Sequence, residues 1–185
     1  MARTPSTMVA LATNAPEFVL PDTVSGKKLS LETLKGNVTT VIMFICNHCP
    51  FVKHVNAELV KLANDYKSKG VGFIAISSND AANYPEDAPG LMKEVALQLK
   101  YPFPYLYDES QEVAKAYDAA CTPDFFIYNK EVRLVYRGQL DDSRPGNEIP
   151  VTGKDIRHAL DCMLSNQPVP EIQRPSIGCN IKWKQ

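Results

Sequence analysis

The fold of this chain is decided by residues 41–50, which read VIMFICNHCP. The apolar run 41–45 predicts a buried strand, and the amphipathic stretch 51–69 predicts a helix directly after it. A C-x-x-C pair, Cys46 and Cys49, therefore stands where a strand passes into a helix. The start of a helix offers free backbone N–H groups and partial positive charge, which favour a thiolate over a thiol. This position predicts a cysteine pair that can take up and return two electrons.

Length and composition predict one globular domain over residues 1–185, and the order of predicted strands and helices makes it an α/β domain. The chain is 44% apolar and 22% charged, which is ordinary for a globular protein with a full core. Residues 1–14 contain only short apolar pieces and are expected to be flexible. Residues 166–185 hold three prolines and show no clear period. They are expected to form a tail that wraps the surface and is anchored by Ile181 or Trp183.

The net charge of the sequence argues against two classes of partner, and its short apolar runs predict neither a signal peptide nor a membrane span. The net charge is −1 and there is no long basic run, so neither nucleic acid nor an anionic membrane is expected as a partner. Residues 1–15 lack the continuous apolar segment of a signal peptide. The run 41–45 is far too short to cross a bilayer. We therefore expect a cytoplasmic protein.

The chain has five cysteines, an odd number that does not suggest a disulfide scaffold. In a reducing compartment they are redox-active, metal-binding or simply buried. A structural zinc site usually needs a second ligand pair at similar spacing, and the sequence has none. We therefore expect neither a metal nor a cofactor, and interpret the C-x-x-C as redox-active.

The rest of the sequence predicts a strand–helix–strand unit and a later hairpin. Helix 51–69 has apolar residues every three or four positions and ends at Gly70. The apolar run 71–77 predicts a strand parallel to the first, joined by a right-handed crossover, and the polar loop 78–89 follows it at the functional end of the sheet. The other predicted elements are an edge strand over 15–22, a turn over 25–28, a helical turn over 29–34, helices over about 90–100 and from Ser110 to Tyr117, hairpin strands 125–128 and 132–137, and a helix over about 153–165 that a capping box at Thr152 opens.

This order of elements resembles the thioredoxin fold. The pattern A-P-x-F-x-L-x-D at 15–22 and the insertion between 78 and 120 are similar to the peroxiredoxin and TlpA/ResA branch. Three segments narrow the resemblance to peroxiredoxin-like thioredoxin-family proteins of the AhpC/TSA–redoxin superfamily: FICNHCP at 44–50, ACTPDFF at 120–126 and SIGCNIKW at 176–183. The resemblance covers roughly residues 9–184. It implies a central mixed β-sheet flanked by helices, with an N-terminal extension and an insertion after the βαβ unit.

The resemblance also assigns roles around the C-x-x-C. Cys46 is the expected nucleophile at the more exposed end of the pair, and Cys49 is the expected resolving thiol. Thr122 and Pro123 correspond to the cis-proline segment that packs against the disulfide and can pair with an extended substrate. Asn47 lies between the two cysteines and is expected to support the site.

His48 has two interpretations. It can stabilise the Cys46 thiolate, by charge when protonated or by a hydrogen bond when neutral, or it can be a solvated surface residue. His54 lies on the same predicted helix, and a ligand role cannot be separated from a surface role there.

Two departures from the related families bear on the mechanism. Thioredoxin carries a buried acid on the strand before its C-x-x-C, and the matching residue here is Thr40. Typical peroxiredoxins carry Pro-x-x-x-Thr/Ser-x-x-Cys, a signature that fits neither Cys46 nor Cys49. The second departure weakens a peroxidase interpretation.

The remaining cysteines and two arginines are auxiliary candidates. If residues 121–123 are extended, Thr122 faces the redox pair and Cys121 points away, which leaves a core or a redox role open. Cys162 is expected in the core, and Cys179 lies in the tail, where a redox role is the minor alternative. Arg137 and Arg144 are each candidates to lie near the thiolate, as an arginine does in peroxiredoxins, or to form a surface salt bridge.

The sequence thus predicts a thiol–disulfide oxidoreductase that acts on protein or small-molecule disulfides. One alternative is a thiol peroxidase with an antioxidant role, in which the Cys46 thiolate attacks a peroxide. Another is a non-enzymatic copper-binding protein, because Cys46, Cys49 and a histidine are soft ligands. The expected oligomeric state is a monomer or a weak homo-oligomer.

Overall fold

The structure, a computed structural model, describes residues 3–185. Its helices are α1 (Leu31–Leu34), α2 (Pro50–Tyr66), α3 (Pro89–Gln98), α4 (Glu112–Ala116) and α5 (Lys154–Leu164). Its strands are β1 (Arg3–Pro5), β2 (Val19–Pro21), β3 (Lys28–Ser30), β4 (Thr39–Phe44), β5 (Val71–Ser77), β6 (Tyr105–Tyr107), β7 (Cys121–Thr122), β8 (Asp124–Asn129), β9 (Leu134–Gly138) and β10 (Ile177–Asn180). Short 3-10 turns cover Lys67–Lys69 and Pro85–Asp87.

A five-stranded mixed sheet forms the centre of the fold, with strand order β6-β5-β4-β8-β9. Strands β4, β5 and β6 run parallel, whereas β8 pairs antiparallel with both β4 and β9. This arrangement confirms the predicted fold class, a central mixed sheet flanked by helices. Because β4 has a neighbouring strand on each side and all six of its residues are buried, it fixes the position of the residues that directly follow it in the chain.

The two faces of β4 pack into separate hydrophobic clusters. Val41 and Met43 point toward α2 and contribute to the cluster that contains its buried apolar residues, while Ile42 and Phe44 pack on the opposite face beside Tyr117 and Phe126. This alternation follows from the two-residue period of a strand. Each fully buried aliphatic side chain contributes about 1.5–3 kcal/mol, so the junction between β4 and α2 is held firmly in place.

A second, three-stranded sheet has the order β1-β10-β7. The tail predicted to wrap the surface therefore contributes a strand whose central residues, Gly178 and Cys179, are buried. Ile181 is the buried anchor, whereas Trp183 is 40% exposed. Residues 3–5, within the stretch predicted to be flexible, form β1. These strands pair with distant segments, so no local pattern indicates them.

Three smaller features of the structure also differ from what the sequence predicts. Leu29 and Ser30 belong to β3, which pairs with β2, so the helical turn begins only at Leu31. Strand β6 was not predicted at all. The capping box is wrong, because Gly153 is the N-cap of α5, with a positive φ of 65° and no side-chain cap. Instead, the N–H groups of Thr152 and Gly153 donate to Asp141.

No helix in residues 3–185 is long and apolar enough to cross a membrane.

Candidate active site

The C-x-x-C pair lies at the start of α2, as the sequence predicts. Cys49 is the N-cap residue, and Pro50 occupies the first helical position, where a missing N–H costs no hydrogen bond. Both cysteines are buried, with exposed fractions of 2% for Cys46 and 0% for Cys49. The predicted difference in exposure between the two is therefore very small. All five cysteines are reduced in the structure.

Thr122 faces both thiols of the pair. Its hydroxyl lies 3.3 Å from Cys46 Sγ, and its carbonyl accepts a hydrogen bond of 3.1 Å from Cys49. The Thr122–Pro123 peptide bond is cis. Cys121 points the other way, as expected for extended backbone, and its thiol donates to Pro123 O. Burial raises the pKa of the Cys121 thiol, which favours the core interpretation for this residue.

Cys179 is a third thiol at the same place, although for this residue the sequence makes a redox role the minor alternative. Its Sγ lies 2.8 Å from Cys49 Sγ. In the β7–β10 ladder Cys179 pairs directly with Thr122, the residue that contacts the C-x-x-C. Because directly paired residues point to the same face of a sheet, this register places Cys179 at the cysteine pair.

Asp87 is a second residue that the sequence did not single out, although it lies in the polar loop predicted to follow β5. Its buried carboxylate accepts hydrogen bonds from the backbone N–H groups of Asn47 (2.8 Å) and His48 (3.2 Å). It also accepts from Asn79 Nδ2 at 2.7 Å and lies 2.6 Å from His48 Nδ1. One carboxylate therefore anchors the segment between the two cysteines.

Asn47 ties the same segment to its surroundings through its side chain. Its amide nitrogen donates to Glu86 O at 2.8 Å, and its amide oxygen accepts from the hydroxyl of Tyr105 at 3.2 Å. Asn47 thus holds the C-x-x-C against the turn that carries Asp87.

His48 forms a buried ion pair with Asp87 rather than lying in solvent. Its side chain is only 8% exposed, and its ring stacks on Tyr84 with centroids 5.5 Å apart. The surface interpretation of His48 is therefore wrong. The hydrogen bond to Asp87 raises the pKa of His48 despite the opposing effect of burial. Burial alone would raise the pKa of Asp87, but the bonds from His48 and Asn79 lower it.

The charges of the two cysteines differ from the sequence expectation. The interaction with Cys46 lowers the pKa of Cys49 most, and the Cys179 thiol and the Val52 N–H add to this effect against burial. The interaction with Cys49, burial and the Asp87 carboxylate raise the pKa of Cys46. The two thiols thus shift each other's pKa in opposite directions. His48 makes no hydrogen bond to Cys46 among the described contacts.

The His48–Asp87 pair predicts a pH-dependent stability. A raised histidine pKa contributes stability that is fully present below the unfolded value of about 6.5 and is lost as pH rises through the folded value. A lowered aspartate pKa contributes stability that is lost as pH falls through its folded value. We expect His48→Gln to lower the free energy of unfolding more at pH 5.5 than at pH 9. Urea denaturation of both proteins at both pH values measures this, and equal differences would contradict it.

Comparison with known proteins identifies the family. Residues 10–156 match the Redoxin family. The chain belongs to the redoxin family. This redoxin is similar to the crystal structure of an uncharacterized conserved protein from Geobacillus kaustophilus, with 64% identity, coverage of 100% of this chain and 97% of that one, and a TM-score of 0.98. A hypothetical protein from Sinorhizobium meliloti 1021 shares 49% identity over 98% of each chain, with a TM-score of 0.95.

More distant likeness extends to redox proteins of known type. The thioredoxin domain of a thiol-disulfide oxidoreductase from Bacteroides vulgatus is 20% identical, over 70% of this chain and 88% of that one, with a TM-score of 0.59. At this identity the likeness shows the thioredoxin fold of the redoxin and no more. No functionally curated protein matches the sequence significantly.

The redoxin has a buried acid, but not at the position that corresponds to the acid of thioredoxin. Thr40 occupies that place, and its hydroxyl accepts a hydrogen bond from Gly36 N. Asp124 follows Pro123 directly, and burial raises the pKa of its carboxyl to about 7. A buried titratable group is therefore adjacent to the cis-proline segment, on the strand beside β4.

The other auxiliary candidates lie elsewhere. Arg137 hydrogen-bonds to Gln173, and Arg144 to Gln139 and to the backbone of its own loop, so neither guanidinium bonds a thiol within residues 3–185. Of the two alternatives, a place at the thiolate is therefore not seen for either arginine, and neither forms a salt bridge within the described residues. His54 pairs with Ser143. Cys162 is partly exposed on α5, which corrects its assignment to the core.

One group of side chains has the composition of a metal site. Cys46, His48 and Asp87 each offer a ligand atom, and these three atoms lie within 4.8 Å of one another. His48 and Asp87 are already bonded to each other, and the raised pKa of Cys46 opposes formation of the thiolate that a metal requires. A metal would therefore have to displace an existing ion pair.

Proposed function

We propose that this redoxin is a thiol–disulfide oxidoreductase in which Cys46 and Cys49 are the redox pair. One observation carries the proposal: both sulfurs lie at the start of α2 and contact Thr122, beside the cis Thr122–Pro123 bond. A helix start stabilises a thiolate, and Thr122 offers a hydroxyl and a carbonyl to the reacting sulfurs. Membership of the redoxin family supports the same conclusion.

The reaction begins with one proton shared by the two interacting sulfurs of the reduced pair. When that proton lies on Cys49, which then donates to Thr122 O, the Cys46 thiolate attacks one sulfur of a substrate disulfide. A mixed disulfide forms, and the first leaving thiolate takes up the proton of Cys49. The Cys49 thiolate next attacks Cys46 Sγ, so that the second substrate thiolate leaves and is protonated by water. Two electrons have moved from the cysteine pair to the substrate.

Asp87 and His48 act as positioning residues in this scheme. Asp87 fixes the backbone between the cysteines, and its negative charge raises the pKa of Cys46. His48 balances that charge inside the protein. The ion pair thus holds the segment between the two cysteines in place.

The proposal is tested by oxidising the protein with oxidised glutathione, blocking the remaining thiols and mapping the disulfides by mass spectrometry. We expect a reversible Cys46–Cys49 disulfide. The reduced protein should accelerate reduction of insulin disulfides by dithiothreitol, and Cys46→Ser should lower this rate to the uncatalysed background. Cys162→Ser is the matched control and should keep the wild-type rate.

Two other results would overturn the proposal. Fast consumption of hydrogen peroxide without insulin reduction would favour the thiol peroxidase. Stoichiometric binding of Cu(I) that is lost in both Cys46→Ser and His48→Gln, without a reversible disulfide, would favour the metal-binding alternative, for which the cluster with Asp87 is the supporting observation.

A further inference from the structure

A close approach of β10 to the redox pair is built into its backbone. A Cβ atom on Gly178 would lie only 2.1 Å from the carbonyl oxygen of Thr122, so only glycine allows this strand to lie so near. Strand β10 is also held on its other side by β1, where Arg3 pairs with Cys179. The position of Cys179 is therefore fixed from both neighbouring strands.

Cys49 has two sulfur neighbours within this arrangement. Its Sγ interacts with the thiol of Cys46 and lies 2.8 Å from that of Cys179. The second distance is less than 1 Å longer than a covalent S–S bond of about 2.05 Å. A small movement would therefore bring these two sulfurs to bonding distance.

We propose that Cys179 is a third redox thiol of the site, which exchanges with a Cys46–Cys49 disulfide at the sulfur of Cys49. This inference rests on the proposed function. The Cys179 thiolate attacks Cys49 Sγ, the Cys49–Cys179 bond forms, and the Cys46–Cys49 bond breaks. The electron pair of the broken bond leaves on Cys46 Sγ, which takes up the proton that Cys179 has lost. One disulfide replaces another, so the step needs no external oxidant.

The surroundings of the three sulfurs suit this exchange. Burial and the hydrogen bond to Cys49 raise the pKa of Cys179 in the reduced protein, and the charge of Lys182 opposes that rise. The contribution from Cys49 ends when Cys49 is tied to Cys46, so oxidation of the pair removes one cause of the raised pKa of Cys179. The hydroxyl of Thr122, 3.3 Å from Cys46 Sγ, can donate to the departing thiolate.

The exchange would change what the oxidised protein can do. With the disulfide between Cys49 and Cys179, the oxidising equivalents lie in a buried bond and Cys46 is again a thiol. That thiol can attack a second disulfide, but Cys49 is no longer available to resolve the product. The oxidised protein would then hold a substrate thiol at Cys46 until Cys49 is reduced.

The test is a disulfide map of the full chain after oxidation with oxidised glutathione, acid quenching and thiol blocking. We expect the wild type to contain both Cys46–Cys49 and Cys49–Cys179 linkages. In Cys46→Ser, oxidation should remove two thiols per chain through the Cys49–Cys179 bond. In Cys46→Ser/Cys179→Ser no disulfide should form within the chain, although Cys49, Cys121 and Cys162 all remain.

A wild type that holds only the Cys46–Cys49 linkage overturns the inference, and this result does not depend on the folding of any variant. The proposed function would still stand in that case, provided that insulin reduction is fast and requires Cys46. Conversely, a wild type without the Cys46–Cys49 linkage and without insulin reduction would end the proposed function. The two failures are therefore distinguishable.

Discussion

Cys49→Ser is expected to convert the protein from a catalyst into a trap for its disulfide substrates. Without the thiolate of Cys49, the mixed disulfide formed at Cys46 has no resolving group. Turnover of insulin should fall to the background rate, and incubation with cell extract should yield covalent adducts through Cys46. Non-reducing electrophoresis followed by mass spectrometry measures both the adducts and their attachment site.

Two variants make that experiment specific. Cys46→Ser/Cys49→Ser removes the attacking thiol and should give no adducts. Cys162→Ser keeps the redox pair intact and should behave as the wild type, because its thiol lies partly exposed on α5. Adducts that still form in Cys46→Ser/Cys49→Ser would contradict the assignment of Cys46 as the nucleophile. If those adducts were attached through Cys179, then Cys179 rather than Cys46 would be the attacking thiol.

Asp87→Ala is expected to be the most destabilising substitution near the site. The carboxylate is fully buried and bonds two backbone N–H groups and two side chains. Removing one partner of a buried ion pair costs about 3–5 kcal/mol, because the other charge and the donors are left without partners. Urea denaturation near pH 6 should therefore show a large loss in the free energy of unfolding.

The control for Asp87→Ala is Asp65→Ala. Asp65 is exposed and pairs with Lys61 and Arg157 at the surface, where water replaces a lost partner. Its removal should change the unfolding midpoint little. If Asp87→Ala were no more destabilising than Asp65→Ala, the carboxylate would not anchor the cysteine segment. Asp87→Asn should be milder, because an amide oxygen can still accept from the backbone of Asn47.

The elements that carry the cysteine pair could be predicted because their signals are local. An apolar run followed by apolar residues every three or four positions fixes β4 and α2, and the pair lies at their junction. The orientation of the Thr122 side chain toward the cysteine pair could be predicted because side chains alternate between the two faces of an extended segment. Sequence spacing is sufficient wherever neighbours in space are also neighbours in the chain.

The features that could not be predicted depend on contacts between residues that lie far apart in the sequence. Asp87 acts on Asn47 across 40 residues, and Cys179 meets Cys49 across 130. The sequence indicated a functional loop at 78–89, but not which of its acids would turn inward. The directions in which the pKa values of Cys46 and Cys49 shift depend on these same neighbours, so they could not be predicted from the C-x-x-C alone.

The 130 residues between Cys49 and Cys179 also mean that Cys179 is synthesised later than the cysteine pair. A ribosome adds roughly 5–20 residues per second, so about 6–26 s pass between synthesis of the two cysteines. During that interval the nascent chain presents Cys46 and Cys49 without the strand that later covers them. An oxidant met then can join the pair to itself, to Cys121 or Cys162, or to another molecule, but not to Cys179. Docking of β10 is thus the maturation step that gives the emerging redox centre its third sulfur.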